Sequence, residues 1–494
     1  MENEVPRSGA LTETTVRGLS WVGLSQVVAH GFQVGVTVIL ARMLTPEDFG
    51  IVAIANVVVG LAAMVAELGL GSAIVQRKNV DPVQLSTAFY FSVGLGFTLF
   101  IGMAWSAGPL SRFVNEPEAQ WVIGGLSLSF VLGAFGLIHR SVLTRRMDFR
   151  RVAYADIGGT LGWGVMATLL AYRGWGVWSL VWGQILRVVS TTGLLWWVCD
   201  WRPGAMASWR RFRGFFSFGM RVTGGGLINY GSARVDHAVI GTYLGAGALG
   251  PYYIAIQWTM VPLEKIAMVI TRVVFPAFSI VQDENERLRR GYAKVIRTIS
   301  LLSFPLIAGL FVLAGDVVDV FLGAEWAGVA ILLKVLCVAG ALKAVGTVVG
   351  MVFLAKGRAD ISFWWNGCAL VFISAAVGIG VRFGVAGVAG GIAISSVVLF
   401  LLSQAIANRL MDLKFQEVFR ALGSAFWGAC GMAIVVGGFR WLTRAYMSPE
   451  WMVVSAVVMG CASYASLIAL LEKGLYREAI MTIRRSLRTA DSRR

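Results

Sequence analysis

The feature that most constrains this chain is a succession of apolar runs, each about 20 residues long and bounded by charges, proline or glycine. A helix crosses the hydrocarbon core of a bilayer with about 20 apolar residues, whereas a barrel strand needs about ten residues of alternating polarity. These runs do not alternate, so we expect an all-α polytopic membrane protein. About fourteen transmembrane helices are predicted, at residues 19–40, 49–68, 85–107, 121–138, 154–172, 175–198, 215–243, 251–271, 296–314, 328–355, 362–381, 385–407, 419–441 and 451–471. No small-residue cleavage site follows the first run, so we expect a retained span and not a signal peptide.

Composition and charge support the same class. Of the 494 residues, 57% are hydrophobic and 14% are charged, whereas soluble domains have about 25% charged residues; this excludes a soluble globular protein. If both termini are cytoplasmic, about 31 of the 43 Lys and Arg residues lie in cytoplasmic segments and about 6 in outer loops. This asymmetry is the positive-inside pattern, which explains the net charge of +16 without a nucleic-acid partner. We therefore expect cytoplasmic termini and contacts with anionic membrane lipids.

An internal repeat divides the chain. The segment LTPEDFGIVAIA from residue 44 aligns with LGAGALGPYYIA from residue 244, with the identities Leu44/Leu244, Gly50/Gly250, Ile54/Ile254 and Ala55/Ala255. WGVWSLVWG, which ends at Gly183, aligns in the same way with FGVAGVAGG, which ends at Gly391. Tandem repeats are typical of transporters whose site lies between the halves; chance similarity between apolar runs is the alternative. We predict an N-terminal six-helix lobe at 1–200, a C-terminal six-helix lobe at 201–410, two additional transmembrane helices at 411–472 and a basic cytoplasmic tail at 473–494.

Several segments, in this order and spacing, also carry a resemblance to a known family: LARMLTPEDFG, AELGLGSAIVQRKN, LTRRMDFRR, GWGVWSLVWGQ, IGTYLGAGALGPYYIA, FPAFSIVQDENERLRRGY and FLGAEW. From about residue 18 to 407 the chain resembles the Wzx-type lipopolysaccharide/exopolysaccharide flippases, a branch of the MOP exporter superfamily. The resemblance implies two six-helix lobes in a V shape, two extra C-terminal helices, and translocation of an undecaprenyl-diphosphate-linked oligosaccharide across the bacterial inner membrane by alternating access. It also implies a polysaccharide polymerase and assembly machinery as partners.

Polar side chains recur at helical spacing inside two predicted spans. Such residues are costly in a membrane and usually face a bundle interior or a wet cavity. The first span carries Gln26, His30, Gln33 and Thr37 on one helical face, and the seventh carries Tyr230, Arg234 and His237. We predict that both faces line a substrate cavity. Hydrogen bonds between helices are the alternative role.

Charged residues inside spans give the sharpest candidates. Arg234 lies well inside the seventh span, and its guanidinium could bind a lipid-linked diphosphate through two oxygens. The alternative is an ion pair with an acid, although Asp236 points about 200° away from Arg234 on the same helix. Lys343 is a second candidate cation for substrate binding. Glu67 and Asp236 are the acids that could bind a coupling proton or sodium ion, with structural pairing as the alternative.

Motifs of common catalytic and metal sites are absent from the sequence, including Walker A, HExxH, a Cys/His cluster and G-x-S-x-G. Gly245, Gly247 and Gly250 form a GxGxxG pattern, but no βαβ unit surrounds it, so we interpret it as a tight turn between spans seven and eight. We expect no enzymatic activity, no cofactor and no metal.

Two other functions stay open at this point. A cation-coupled multidrug exporter of the same superfamily would be expected to have a more acidic or apolar cavity, and Arg234 and Lys343 argue against a cationic drug as substrate. A membrane polysaccharide polymerase or ligase would need a large outer loop for its catalytic residues. The longest predicted outer loop, at about 108–120, is too short for this.

Overall fold

The computed structural model describes residues 29–77, 80–206 and 208–472. Across these ranges the regular structure is helical, with no strand. The α-helices are α1 Ala29–Ala41, α2 Pro46–Glu67, α3 Leu70–Gln76, α4 Pro82–Phe113, α5 Ala119–Arg145, α6 Phe149–Tyr172, α7 Val177–Val198, α8 Trp209–Leu244, α9 Ala246–Ile280, α10 Asn285–Phe321, α11 Val329–Ala355, α12 Ala359–Gly380, α13 Gly384–Met411, α14 Phe415–Thr443 and α15 Pro449–Leu471.

The helices agree with the spans predicted from the sequence. Each predicted span overlaps one helix, and the part of the first span before residue 29 lies outside the described residues. The short helix α3 was not predicted. It follows a break at Leu68 and Gly69, whose φ angles of 42° and 57° are left-handed and end α2. The prediction of an all-helical protein is therefore confirmed.

Eight helical stretches among the described residues are long and apolar enough to cross a membrane. Helices α6, α7, α8 and α9 have 24, 22, 36 and 35 residues. These lengths also suffice for a bilayer, because each helical residue adds about 1.5 Å. The molecule is a multi-pass membrane protein, and the number of fourteen spans stays a prediction.

Local side-chain chemistry fixes where the helices begin and end. Thr45 and Asp48 form a capping box at the start of α2, with Asp48 N–H donating to Thr45 Oγ1 at 3.2 Å and Thr45 N–H donating to Asp48 Oδ2 at 2.9 Å. At helix C-termini, basic side chains donate to free carbonyl groups. Arg151 donates to the carbonyl of Val198 at 2.9 Å, at the C-terminus of α7. Basic residues in the predicted inner segments thus also stabilise helix ends.

The structure divides into two compact units, with the boundary between Tyr253 and Ile254 inside α9. In the first unit, α8 packs against α2, α3 and α4, while α6 packs on α7 and α4 on α5. In the second unit, α10 packs on α11 and α14, and α13 packs on α11 and α12. The lobes at 1–200 and 201–410 stay a prediction.

Two ion pairs tie the last two helices to α10 within the second unit. Arg440 of α14 contacts Asp316 of α10, with Nε 2.5 Å from Oδ2 and Nη2 3.2 Å from Oδ1. Arg297 of α10 donates from Nε to Glu472 Oε1 at 2.7 Å, just after α15. The residues at 297 and 316 are about 28 Å apart along α10, close to the thickness of a hydrocarbon core. The two pairs therefore hold α14 and α15 against α10 near both of its predicted membrane boundaries.

Helix α2 and the first turns of α9 cross in the first unit at a distance that only glycine permits. A β-carbon at Gly50 would lie 1.8 Å from the carbonyl oxygen of Ala246, and one at Gly250 would lie 1.8 Å from that of Pro46. The 200-residue offset of the repeat pairs Pro46 with Ala246 and Gly50 with Gly250, so the contact is reciprocal. Glu116 accepts a hydrogen bond of 2.6 Å from the Ala246 N–H and caps the same turn.

Candidate functional site

The polar face of α8 forms a connected group in the first unit. Arg234 Nη1 lies 3.3 Å from His237 Nε2, and the Arg234 guanidinium lies 5.9 Å from the centre of the Tyr230 ring. Residues three and four apart share one side of a helix, which is why the sequence spacing brings these side chains together. The three residues predicted on this face are therefore adjacent in the structure.

Asp236 belongs to the same group without pairing directly with Arg234. Its Oδ1 accepts from the His237 backbone N–H and lies 2.8 Å from His237 Nδ1, and its Oδ2 accepts from the Tyr252 hydroxyl at 2.7 Å. A carboxylate beside Nδ1 favours the tautomer that carries its proton there, which leaves Nε2 as an acceptor for the Arg234 N–H. The His237 imidazole thus stands between the cation and the acid.

The surroundings of this group are mainly apolar. His237 and Asp236 are 2% and 7% exposed, so their polar atoms depend on one another for hydrogen bonds. His237 also lines an apolar cavity of about 140 Å³ together with Ile54, Val57, Val58, Leu110, Phe113, Val114, Ile123, Ala238, Gly241 and Thr242. The cavity has room for a few small groups and is not a passage for a glycan.

Tyr230 makes an interhelical hydrogen bond. Its hydroxyl donates to the carbonyl of Asn56 on α2 at 2.8 Å, and it fits above Gly60, where a β-carbon would lie 1.8 Å from the hydroxyl oxygen. Tyr230 therefore joins α8 to α2, the alternative role weighed for this residue from the sequence, while its ring still faces Arg234.

The polar face of α1 is partly described. Gln26 lies outside the described residues, and Thr37 donates its hydroxyl to the Gln33 carbonyl at 2.8 Å on its own helix. Phe32 and Val36 of α1 pack against Gly164 of α6. His30, Gln33 and Thr37 share a neighbouring side of the helix, centred about 110° around the helix axis from this packing contact.

Lys343 is paired in the second unit. Its Nζ lies 2.8 Å from Glu264 Oε1, and both side chains are about half exposed, at 50% and 48%. Lys334, nine residues earlier on α11, lies on the opposite side of the helix and lines an open apolar groove formed with α10 and α13. The sequence did not predict the partner of Lys343.

The two predicted coupling acids have different environments. Glu67 is exposed at the C-terminal end of α2, whereas Asp236 is buried and accepts three hydrogen bonds. Tyr252, which supplies one of them, was missed from the sequence. The turn at Gly245 could have indicated this contact. Asp236 lies nine residues before the turn and Tyr252 seven residues after it, so a tight turn brings them to a similar level on consecutive helices. Over the described ranges, no group of three His, Cys, Asp or Glu side chains could hold a metal ion.

Comparison with known proteins adds the family context. Residues 39–331 match the model of a family described as polysaccharide biosynthesis protein. The chain is 29% identical over 398 residues to the lipopolysaccharide biosynthesis protein WzxC of Escherichia coli (strain K12), covering 80% of this chain and 81% of that one. It is 29% identical over 370 residues to the succinoglycan biosynthesis transport protein ExoT of Rhizobium meliloti (strain 1021), covering 74% of each chain. The fold is similar to that of the lipid II flippase MurJ in an inward closed conformation, with a TM-score of 0.75, 14% identity and coverage of 92% of this chain and 99% of that one.

Proposed function

Because this chain belongs to the polysaccharide biosynthesis protein family, we propose that it is a flippase for lipid-linked oligosaccharides in polysaccharide biosynthesis. The proposed substrate is an undecaprenyl-diphosphate-linked repeat unit, which crosses the bacterial inner membrane by alternating access. Two relatives that are described as lipopolysaccharide biosynthesis and succinoglycan transport proteins support this assignment. Both termini are assigned to the cytoplasm on the distribution of basic residues.

The chemistry of such a substrate sets what the protein must supply. The prenyl tail is apolar and can stay in the lipid phase throughout. Moving the sugar hydroxyls and the diphosphate into hydrocarbon costs several kcal/mol of free energy per unsatisfied polar group. They therefore need a polar path through the protein. A cation along this path would offset the charge of the diphosphate.

The observation that carries the proposal is the charge environment of Arg234. Arg234 lies inside the 36-residue helix α8, and its guanidinium lies within hydrogen-bond distance of the His237 imidazole. Among the described residues, no carboxylate lies within ion-pair distance of it. Since its charge is not neutralised by a direct partner, Arg234 keeps an electrostatic preference for a phosphate.

Other polar residues have secondary roles in this proposal. Lys343 is already paired with Glu264, so a phosphate would have to compete with that carboxylate. The imidazole of His30, the amide of Gln33 and the hydroxyl of Thr37 on α1 suit sugar hydroxyls better than phosphate. We therefore assign the headgroup to Arg234 and the glycan to the α1 face. A polysaccharide polymerase and assembly proteins are the proposed partners on the product side.

Reconstitution tests the function. The purified protein is placed in vesicles that contain a prenyl-diphosphate glycan with a fluorescent label, and a membrane-impermeant reductant bleaches the outer leaflet. We expect the protected half of the label to become accessible in vesicles with the protein and to stay protected in empty vesicles. Gradient-driven uptake of a cationic dye without glycan movement would favour the drug exporter and contradict the proposal.

A further inference from the structure

Four side chains in the first unit form a continuous chain of contacts that ends at Arg234. The Tyr252 hydroxyl on α9 donates to Asp236, Asp236 contacts His237 Nδ1, and His237 Nε2 faces Arg234 Nη1. The rings of His237 and Tyr252 also lie edge to face at 5.6 Å. These contacts join α8 to the next helix, α9.

Each link fixes the next one. Tyr252 is fully buried, so its hydroxyl direction is set by the Asp236 carboxylate to which it donates. Asp236 then fixes both the tautomer and the ring orientation of His237, as carboxylates do for metal-bound and catalytic histidines. The resulting Nε2 lone pair accepts from Arg234 and limits where the guanidinium can lie.

The imidazole of His237 is the chemically important link. A carboxylate in direct contact with Arg234 would orient the guanidinium but would also offset its charge and compete with an incoming phosphate. An imidazole orients the guanidinium without adding negative charge at the contact. Asp236 stays one ring further away, where it balances the charge of the buried group at longer range.

We infer that Tyr252, Asp236 and His237 are positioning residues that hold the Arg234 guanidinium for the phosphate groups of a prenyl diphosphate. The inference rests on the proposed function, because it takes Arg234 as the headgroup ligand. His237, predicted from the sequence to bind substrate, and Asp236, predicted to bind a coupling ion, both take a positioning role instead. Asp236 already accepts three hydrogen bonds and has about one acceptor position left, which leaves little room for a coupling cation.

The test compares two buried tyrosines. Tyr252→Phe removes the hydroxyl that begins the chain of contacts, and Tyr292→Phe is the matched control, because Tyr292 is equally buried and donates at 2.6 Å to Gln404 in the second unit. Binding of farnesyl diphosphate to purified protein in lipid nanodiscs is measured for both, together with the melting temperature. We expect Tyr252→Phe to weaken binding about three- to tenfold, and Tyr292→Phe to leave it unchanged, with similar melting temperatures.

A second comparison shows whether Tyr252 acts through Arg234. In an Arg234→Ala background, Tyr252→Phe is expected to cause no further loss of farnesyl diphosphate affinity, since the group that it positions is gone. Equal binding by the Tyr252→Phe and Tyr292→Phe variants, or a further threefold loss in the double variant, would overturn the inference. If Arg234→Ala itself binds as tightly as the unmodified protein, the headgroup assignment fails instead, so the two failures are distinguishable.

Discussion

Gly50 on α2 lies directly against the carbonyl of Ala246 on α9, and a β-carbon at Gly50 would be 1.8 Å from that oxygen. Gly250 lies in the same way against the carbonyl of Pro46. Real β-carbons do not approach backbone oxygen atoms so closely, so the two helices cross at this distance only with glycine at both positions. The backbone contact therefore depends on two residues that the sequence repeat had marked as identical.

Replacing one of these glycines is expected to destabilise the first unit. Gly250→Ala forces the backbone of α9 away from Pro46, and overpacking of this kind costs about 1–3 kcal/mol. The matched control is Gly247→Ala on the same helix, where nothing lies within 4 Å of the added β-carbon and alanine favours the helix. Thermal unfolding in detergent measures both. Equal melting temperatures for the two variants would show that the crossing is not a tight contact.

The sequence predicted the helices of this structure because apolar runs of spanning length are a local property. Apolar runs predicted the helices, and the spacing of Tyr230, Arg234 and His237 predicted their common face. The partners Tyr252 and Glu264 were not predicted, since a contact between helices depends on their rotation and crossing distance. Apolar periodicity did not predict α3 either, because the left-handed backbone at Leu68 interrupts an otherwise continuous apolar run.

The pair of Asp316 and Arg440 is expected to hold α14 on α10. Asp316 is 7% exposed, so Arg440→Met leaves a buried carboxylate without its cation, at a cost of about 3–5 kcal/mol. Arg444→Met, four residues later at an exposed position, serves as the control and should have little effect. The double variant Asp316→Asn with Arg440→Met should recover part of the melting temperature, because the unpaired charge is gone. No recovery would mean that the arginine acts through its packing and not through the ion pair.

The orientation in the membrane follows from the basic segments and can be measured with reporter fusions. A reporter enzyme that works only in the cytoplasm should be active when it is fused after Arg151 or Arg213. A reporter that works only outside the cytoplasm should be active when it is fused after Ala248. The fusion after Ala248 is the most informative, since it shows on which side of the membrane α8 ends. The opposite pattern would reverse the proposed direction of transport.

We expect Glu67 and Asp236 to differ in their contribution to ion coupling. Glu67 lies on the surface of the first unit, whereas the carboxylate of Asp236 is occupied by three donors. We therefore expect Glu67→Gln to abolish the dependence of transport on a pH gradient, and Asp236→Asn to lower the rate while the gradient dependence persists. Flux in vesicles with and without an imposed gradient measures both. Unchanged gradient dependence in Glu67→Gln would remove this residue from the coupling role.

Arg234 gives the most direct test of the central proposal, that this protein moves a diphosphate-linked substrate. Flipping of a labelled prenyl-diphosphate glycan in vesicles is measured for Arg234→Ala and Arg234→Lys, with the melting temperature of each variant determined on the same preparation. Loss of charge-assisted hydrogen bonds, at about 1.5–3 kcal/mol each, predicts at least a tenfold lower flipping rate for the alanine variant. The lysine variant should keep part of the rate, because charge survives without the two-pronged geometry. Both variants should stay folded, since the hydrogen bond from Arg234 is to an imidazole and its loss leaves no unpaired acid in contact. A stable Arg234→Ala protein that flips the glycan at the unmodified rate would contradict the account.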